Sequence, residues 1–523
     1  MKYKSLFAKL ISILMCMAVL SGCSLPLPEA ASSETENTSP DDENQITSLG
    51  LEPDLDYDRP VTQAHIEINQ LGYSTQARKI AIFRGEDLSR NFEVIDPASG
   101  ETVFTGEIKK KSVRGSQEIF YYGLFSELTE PGTYCIKTDV IGYSYPFEIK
   151  EDIYDGLLND ALKQYYYNRC GISLAGNFAG DYARNACHTN LVTLKQDATV
   201  ELDVTGGWHV DMVGDRDVVR GCNTIEALLM AFEYNNDSFG DDSGIPESGD
   251  DIPDILNEIR YEVDWLLKMQ EQATGAVYKA VSVVDKGNGD NNPCHVEAVD
   301  MSSTLSFASA LGYFSYIYQT YDAAFATTCL KAADRAMKYA AKFPDMVDAN
   351  EYFRAATMLY RATGYGNYRE IIRQYATGNT DFDMSDNVVF TGAVTYLATK
   401  QKTESAICDV MMKNLKSYAE TMAGERSDAL FLMGEETKAV ENSALLSEIA
   451  RLTVVNYIIS SNEYERVMEK YLHYFMGCNP TNVCYVGKYG KINITDTDLS
   501  RDILRQPEQD AYLILLISGI TLR

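Results

Sequence analysis

The chain has 523 residues, and its 76 acidic against 46 basic side chains give a formal net charge of -30 at pH 7. Charge of that sign repels nucleic acid and anionic polymers, so neutral ligands are favoured. Eleven cysteines, two of them (Cys16 and Cys23) in an export-like leader, leave an odd number in the body and exclude a disulfide framework.

Residues 1–23, "MKYKSLFAKLISILMCMAVLSGC", carry lysines, then an apolar run from Leu10 to Leu20, then Leu20-Ser21-Gly22-Cys23. This reads as a lipoprotein signal peptide with Cys23 as the lipidated residue. An ordinary signal peptide or a membrane helix is the competing reading, but the run is short for a span and the cysteine follows small residues. The expectation is a single lipid anchor at the outer face of a bacterial membrane. Residues 24–62 are acidic and rich in Ser and Pro, and read as a disordered linker.

Residues 63–150 alternate apolar and polar in short runs, "HIEINQLGY", "KIAIF", "NFEVIDPASGETVFTG" and "GTYCIKTDV", with turn residues between them. That period predicts a small β-sandwich. Over 151–523 the period becomes helical: in "DILNEIRYEVDWLLKMQ", Ile255, Ile259, Val263 and Leu266 share one face. About twelve such stretches recur, without the 34- or roughly 40-residue repeat of a solenoid, which favours a closed toroid of helical hairpins.

The stretches "IEINQLGYS", "PGTYCIK", "YYYNRCGISLAG", "ARNACH", "DVTGGWH", "IPESGDDIPDILNEIRYEVDWLLKMQ", "GAVY", "YFRAATMLYRATG" and "YFMGCNPTNVCYVGKYG" occur in this order. Through them the chain resembles glycoside hydrolase family 9, the cellulase family. The resemblance implies a multidomain fold, an immunoglobulin-like β-sandwich followed by an all-α (α/α)6 barrel, and a cleft at one end of the barrel for β-1,4-linked glucan.

Inverting hydrolysis needs a general base and a general acid roughly 6.5–9.5 Å apart, with room for water between them. The resemblance implies a base-side D-A-G-D pair after G-G-W-aromatic and an acid glutamate before the last barrel helix. In "GGWHVDMVGDRDVV", an alignment anchored on Trp208 and on Val218-Val219-Arg220-Gly221 puts Val210 and Val213 where those two aspartates stand. Asp211 and Asp215 could reach the water only through a shifted loop; solvated loop acids or caps are the plainer reading. Asp217, just before an apolar turn, reads as a helix cap. The histidine- and arginine-bearing segment expected after "YVGKYG" is replaced by "KINITDTDLSRDILRQPEQD". The acid position falls on Leu504, or on Glu508 with a small gap; Glu508 could equally be a first-turn acid favoured by the helix dipole. Trp208, with neighbouring tyrosines, is expected to stack on sugar faces, whereas Trp265 fits a core pattern.

Cys170, Cys187, His188 and His209 make C-x16-C-H-x20-H, a set suited to tetrahedral zinc with no open position. A Cys170–Cys187 disulfide is the alternative for an exported protein. The resemblance implies structural zinc on these positions. Calcium is a further expectation from the acidic loop "NNDSFGDDSGIPESGDDIPD", without assigned ligands.

The leading expectation is a surface-anchored protein directed at β-glucan polysaccharide or oligosaccharide, with lost or impaired hydrolysis and a role in glycan binding. The alternative is an active inverting endo-β-1,4-glucanase using Asp211 or Asp215 with Glu508. A structural or partner-binding module without sugar affinity is the third.

Overall fold

The computed structural model describes residues 65–85, 87–112, 119–284, 292–427, 442–479, 481–487, 489–491 and 507–521. The signal peptide with Cys23, the 24–62 linker and Leu504 lie outside the described residues. No helix among the described residues is long and apolar enough to cross a membrane.

Two compact units result. The first takes the described residues up to Ile153 together with those of the His473–Asp502 segment. One of its sheets has the order Ile66–Glu67, Ile80–Phe83, Ile119–Leu124, Lys109–Ser112. The other runs Gly72–Tyr73, Phe147–Ile149, Gly132–Thr138, Asn91–Ile95, Thr102–Glu107, with Gly142–Tyr143 on Gly132–Thr138. The alternating residues turn inward as their period requires: Ile66, Phe83, Phe92, Val94, Phe125, Ile136 and Phe147 form one buried core. In the "DPASG" turn, Asp96 Oδ1 accepts from the Ala98 N–H at 2.8 Å, and Gly100 takes φ +72. This is the immunoglobulin-like sandwich.

The contacts also group the "YFMGCNPTNVCYVGKYG" segment with the sandwich, although residues 151–523 were expected to be barrel throughout. Its partner is the first motif of the chain. The Gln70 N–H donates to Met476 O at 2.9 Å, Gln70 Nε2 donates to Asn482 O at 2.8 Å, and Gln70 Oε1 accepts from the Lys491 N–H at 2.7 Å. A buried amide with both ends satisfied fixes one chain arrangement, so two motifs about 400 residues apart in sequence are one structural unit.

The second unit contains, among the described residues, twelve helices longer than ten residues: α1 (Asp155–Asn168), α2 (Val218–Tyr234), α3 (Asp254–Lys268), α4 (Met301–Tyr318), α5 (Ala323–Ala340), α6 (Ala349–Thr363), α7 (Gly366–Gly378), α8 (Asn387–Ala398), α9 (Ser405–Ser427), α10 (Asn442–Ile458), α11 (Asn462–Phe475) and α12 (Pro507–Thr521). The unit boundary falls inside α11. The even-numbered helices pack in a closed ring, α2 on α4, α6, α8, α10, α12 and back to α2, with α1, α3, α5, α7 and α9 against it. This is the (α/α)6 barrel. Inner helices such as α4 are buried nearly all round, whereas outer ones such as α5 bury one stripe.

Aspartates mark the starts of four inner helices. Asp217, Asp300, Asp348 and Asp386 each accept a hydrogen bond from a first-turn N–H of α2, α4, α6 and α8. Much of the acidity at this end of the barrel is therefore capping. A five-stranded sheet not foreseen from the sequence decorates the helical unit, in the order Glu201–Leu202, Val192–Leu194, Cys294–Val296, Ala280–Val283, Arg216–Asp217.

Candidate functional site

The G-G-W loop is pinned to the end of α1. The Cys170 N–H donates to Gly207 O at 2.8 Å, the His209 N–H donates to Asn168 O at 2.9 Å, and Arg169 pairs with Trp208 in an antiparallel bridge. Arg169 is itself buried, with Glu258 and Glu247 each at 2.8 Å and the Tyr261 ring under its guanidinium at 4.5 Å. Burial lifts the pKa of Glu258 to about 7, against the pull of Arg169. A buried cation so enclosed fixes the loop that follows it.

This rigid loop places the acids proposed for catalysis. Asp211 is exposed, and its Oδ1 accepts from the N–H groups of Val213 (3.1 Å), Gly214 (2.9 Å) and Asp215 (3.0 Å), closing the turn. Asp215 Oδ1 accepts from the Val283 N–H at 2.6 Å, at the edge of the five-stranded sheet. Asp217 caps α2 through the Arg220 N–H at 3.0 Å, as its position predicts. Trp208 is only 2 % exposed, with its ring tilted against Tyr165 at 4.8 Å, so it offers no open face for a sugar to stack on. Little of the indole is open, as for Trp265, although Trp208 is among the residues lining the candidate cavity.

Trp208 lines a small, partly open cavity, with about 20 Å³ accessible to water, together with Val210, Arg220, Gly221, Glu262 and Glu508. Val210 and Glu508 therefore meet in one cavity, and Asp211 and Asp215 are not in its lining. Glu508 Oε1 accepts from the Tyr512 hydroxyl at 3.2 Å. Glu262, 1 % exposed, accepts from the Trp208 N–H at 2.6 Å, and burial raises its pKa to about 8. Glu262 and Glu508 are the carboxyls that line this cavity among the described residues, and Val210 lines it at the expected base position.

The four candidate metal ligands converge. Their ligand atoms lie within 4.8 Å of one another: Cys170 Sγ to Cys187 Sγ is 3.9 Å, Cys170 Sγ to His188 Nδ1 3.7 Å, and Cys187 Sγ to His209 Nε2 3.6 Å. Tetrahedral zinc with bonds of about 2.3 Å to sulfur and about 2.0 Å to nitrogen needs S···S of about 3.8 Å and S···N of about 3.5 Å, so the set fits. The two sulfurs are not bonded to each other in this structure. The hydrogen bond from Cys170, then those from His188 and His209, hold Cys187 far below the usual thiol range, against its burial. Arg184 Nη1 also donates to Cys187 Sγ at 3.0 Å. Burial lowers the pKa of His209, towards the neutral form a metal ligand needs. His188 sits at φ 50, in the left-handed region, and a Cβ on Gly214 (φ +101) would run into its ring. Glycine at 214 is thus what lets the loop close over His188. Among the described residues this is the one group of three or more His, Cys, Asp or Glu side chains close enough to hold a metal ion. In the acidic loop, Asp241 accepts from the N–H groups of Gly249 (2.6 Å) and Asp251 (2.7 Å), and Asp254 from Ser243 (2.6 Å), so these carboxylates brace the loop itself.

Sequence reasoning missed Glu258 and Glu262. The signal was present: both lie on the face of α3 that carries Ile255, Ile259 and Leu266, where a charged residue is out of place unless paired.

The profile described as Glycosyl hydrolase family 9 matches residues 154–497, and that of the Cellulase N-terminal ig-like domain matches residues 61–142. A cellodextrinase of Butyrivibrio fibrisolvens is 27 % identical over 469 residues, covering 81 % of this chain and 84 % of its own. The crystal structure of a metagenome-derived glycoside hydrolase family 9 endoglucanase superposes with a TM-score of 0.78 at 23 % identity, over 87 % of this chain and 98 % of that one. A Zn-binding triple mutant of the family 9 endoglucanase J30 superposes with a TM-score of 0.73 at 22 % identity, over 80 % and 85 %.

Proposed function

The chain belongs to glycosyl hydrolase family 9, and from that premise we propose that it is a β-glucan-binding protein in which hydrolysis is lost or severely impaired. The observation that carries the reading is the lining of the cavity beside Trp208, where Val210 stands against Glu508 and both Asp211 and Asp215 are bonded elsewhere. Without a general base the site forfeits the roughly 10²–10⁴-fold that such a group contributes. That the Butyrivibrio fibrisolvens relative is a cellodextrinase supports the ligand class.

The proposal includes structural zinc on Cys170, Cys187, His188 and His209. When bound, zinc would tie α1 to the G-G-W loop through four protein ligands and leave no coordination position for substrate. It also includes tethering to the outer face of a bacterial membrane through lipid on Cys23, with residues 24–62 as spacer.

Equilibrium binding of cellohexaose to the purified protein, with chromatography of the recovered sugar, tests the reading. Saturable binding with intact hexaose is expected. Binding with rapid conversion to shorter products would select the active endoglucanase; no binding would leave a module without sugar affinity.

A further inference from the structure

The cavity that Trp208 lines contains a buried carboxyl, Glu262, that makes no ion pair among the described residues. Glu262 and Glu258 lie one turn apart on α3 and are equally buried, but Glu258 has Arg169 at 2.8 Å whereas Glu262 has no ion pair with any described residue. A carboxyl out of water and without a paired cation is pushed towards its neutral form, here against the weaker pull of Arg216. Its Oε2 already accepts from the Trp208 N–H at 2.6 Å. Its Oε1 lies against Gly221, in the first turn of α2, where a Cβ would run into it. Glycine is costly in a helix, and here it opens the space that Oε1 fills on the cavity side.

We propose, resting on the glucan-directed reading above, that Glu262 is a specificity-determining residue of this cavity: the O–H of its neutral carboxyl donates from Oε1 to a sugar oxygen, while Glu508 accepts from a sugar hydroxyl. Each hydroxyl of a neutral glycan can donate and accept, so a donor and an acceptor in one cavity suit that ligand class. The donor role excludes Glu262 as a base, in keeping with a site that binds without activating water. The groups around it are Arg216 before α2, Arg220 and Cys222 on α2, Glu508 on α12, and Glu258 and Tyr261 on its own helix. Their balance leaves burial dominant over the Trp208 N–H and Arg216, and the pKa stands at about 8.

Calorimetric titration of the full chain, of Glu262→Gln and of Glu262→Leu with cellohexaose, from about pH 6 to about pH 9.5, tests this. Affinity of the unaltered protein should be level at low pH and fall as pH passes about 8. Glu262→Gln, which keeps a neutral donor, should bind within about threefold of it and lose the alkaline fall; Glu262→Leu should bind on the order of tenfold more weakly. An alkaline fall in Glu262→Gln as steep as in the unaltered protein would overturn the proposal, and that comparison stands even if the leucine variant does not fold. Leucine binding as tightly as the unaltered protein would also overturn it. Cellohexaose failing to bind the unaltered protein at any pH would remove the glucan reading and this proposal with it; binding with the wrong variant pattern removes only this one.

Discussion

The Trp208 backbone N–H donates to Glu262 Oε2 at 2.6 Å, so the loop that carries Val210 and Val213 is fastened to a buried carboxyl of α3. This contact has a consequence for stability. Burial, against the Trp208 N–H and Arg216, lifts the pKa of Glu262 from 4.5 to about 8. The native protein keeps a proton that the unfolded chain releases near pH 4.5, so the associated stability is full below that value and is lost as pH rises towards about 8. Glu258, lifted to about 7, acts with the same sign. Melting temperature should therefore decline between about pH 5 and about pH 8, and Glu262→Gln should flatten that decline. An equally steep decline in the variant would contradict the assignment.

Metal analysis of the purified protein should find about one zinc per chain. Chelation, or Cys187→Ser, should lower the melting temperature before it changes affinity for cellohexaose, because the four ligands brace the loop and leave no position for substrate. A Cys170–Cys187 disulfide found by mass spectrometry in metal-free protein would refute this.

Asp217→Ala should cost about 0.5–2 kcal/mol, the usual loss for a missing N-cap, since Asp217 accepts from the Arg220 N–H at the start of α2. Denaturant unfolding measures it. Glucan affinity at temperatures where the variant is folded should stay within about twofold, because Asp217 does not line the cavity.

Cys23→Ala should release the protein from membranes or block its maturation. Membrane attachment that persists without lipid would rule out the anchor.

The legible parts of this molecule were those written in local patterns. Alternation placed Phe83, Phe92 and Val94 inward, and helical periodicity found the twelve long helices, six of which close the ring. Asp217 could be read as a cap from its neighbours, and the Cys/His spacing brought out a set that converges in space. What could not be read depends on distant partners. The strands of the five-stranded sheet have two to four residues, too few to show a period, and one of its pairings joins Thr193 to His295. Trp208 looked like a sugar platform because aromatic beside acid has that meaning in an open cleft; Tyr165 from α1 covers it instead. Glu262 acquires its role only when the Trp208 N–H, 54 residues away in sequence, arrives beside it.

Steady-state release of reducing ends from cello-oligosaccharide by the unaltered protein is the most direct test of impaired hydrolysis. The account predicts turnover at least about 10²-fold below that of an active family 9 endoglucanase assayed alongside, and no further loss in Asp211→Asn or Asp215→Asn. Release at the rate of the active enzyme, abolished by either substitution, would show that the loop supplies a base and would contradict the account.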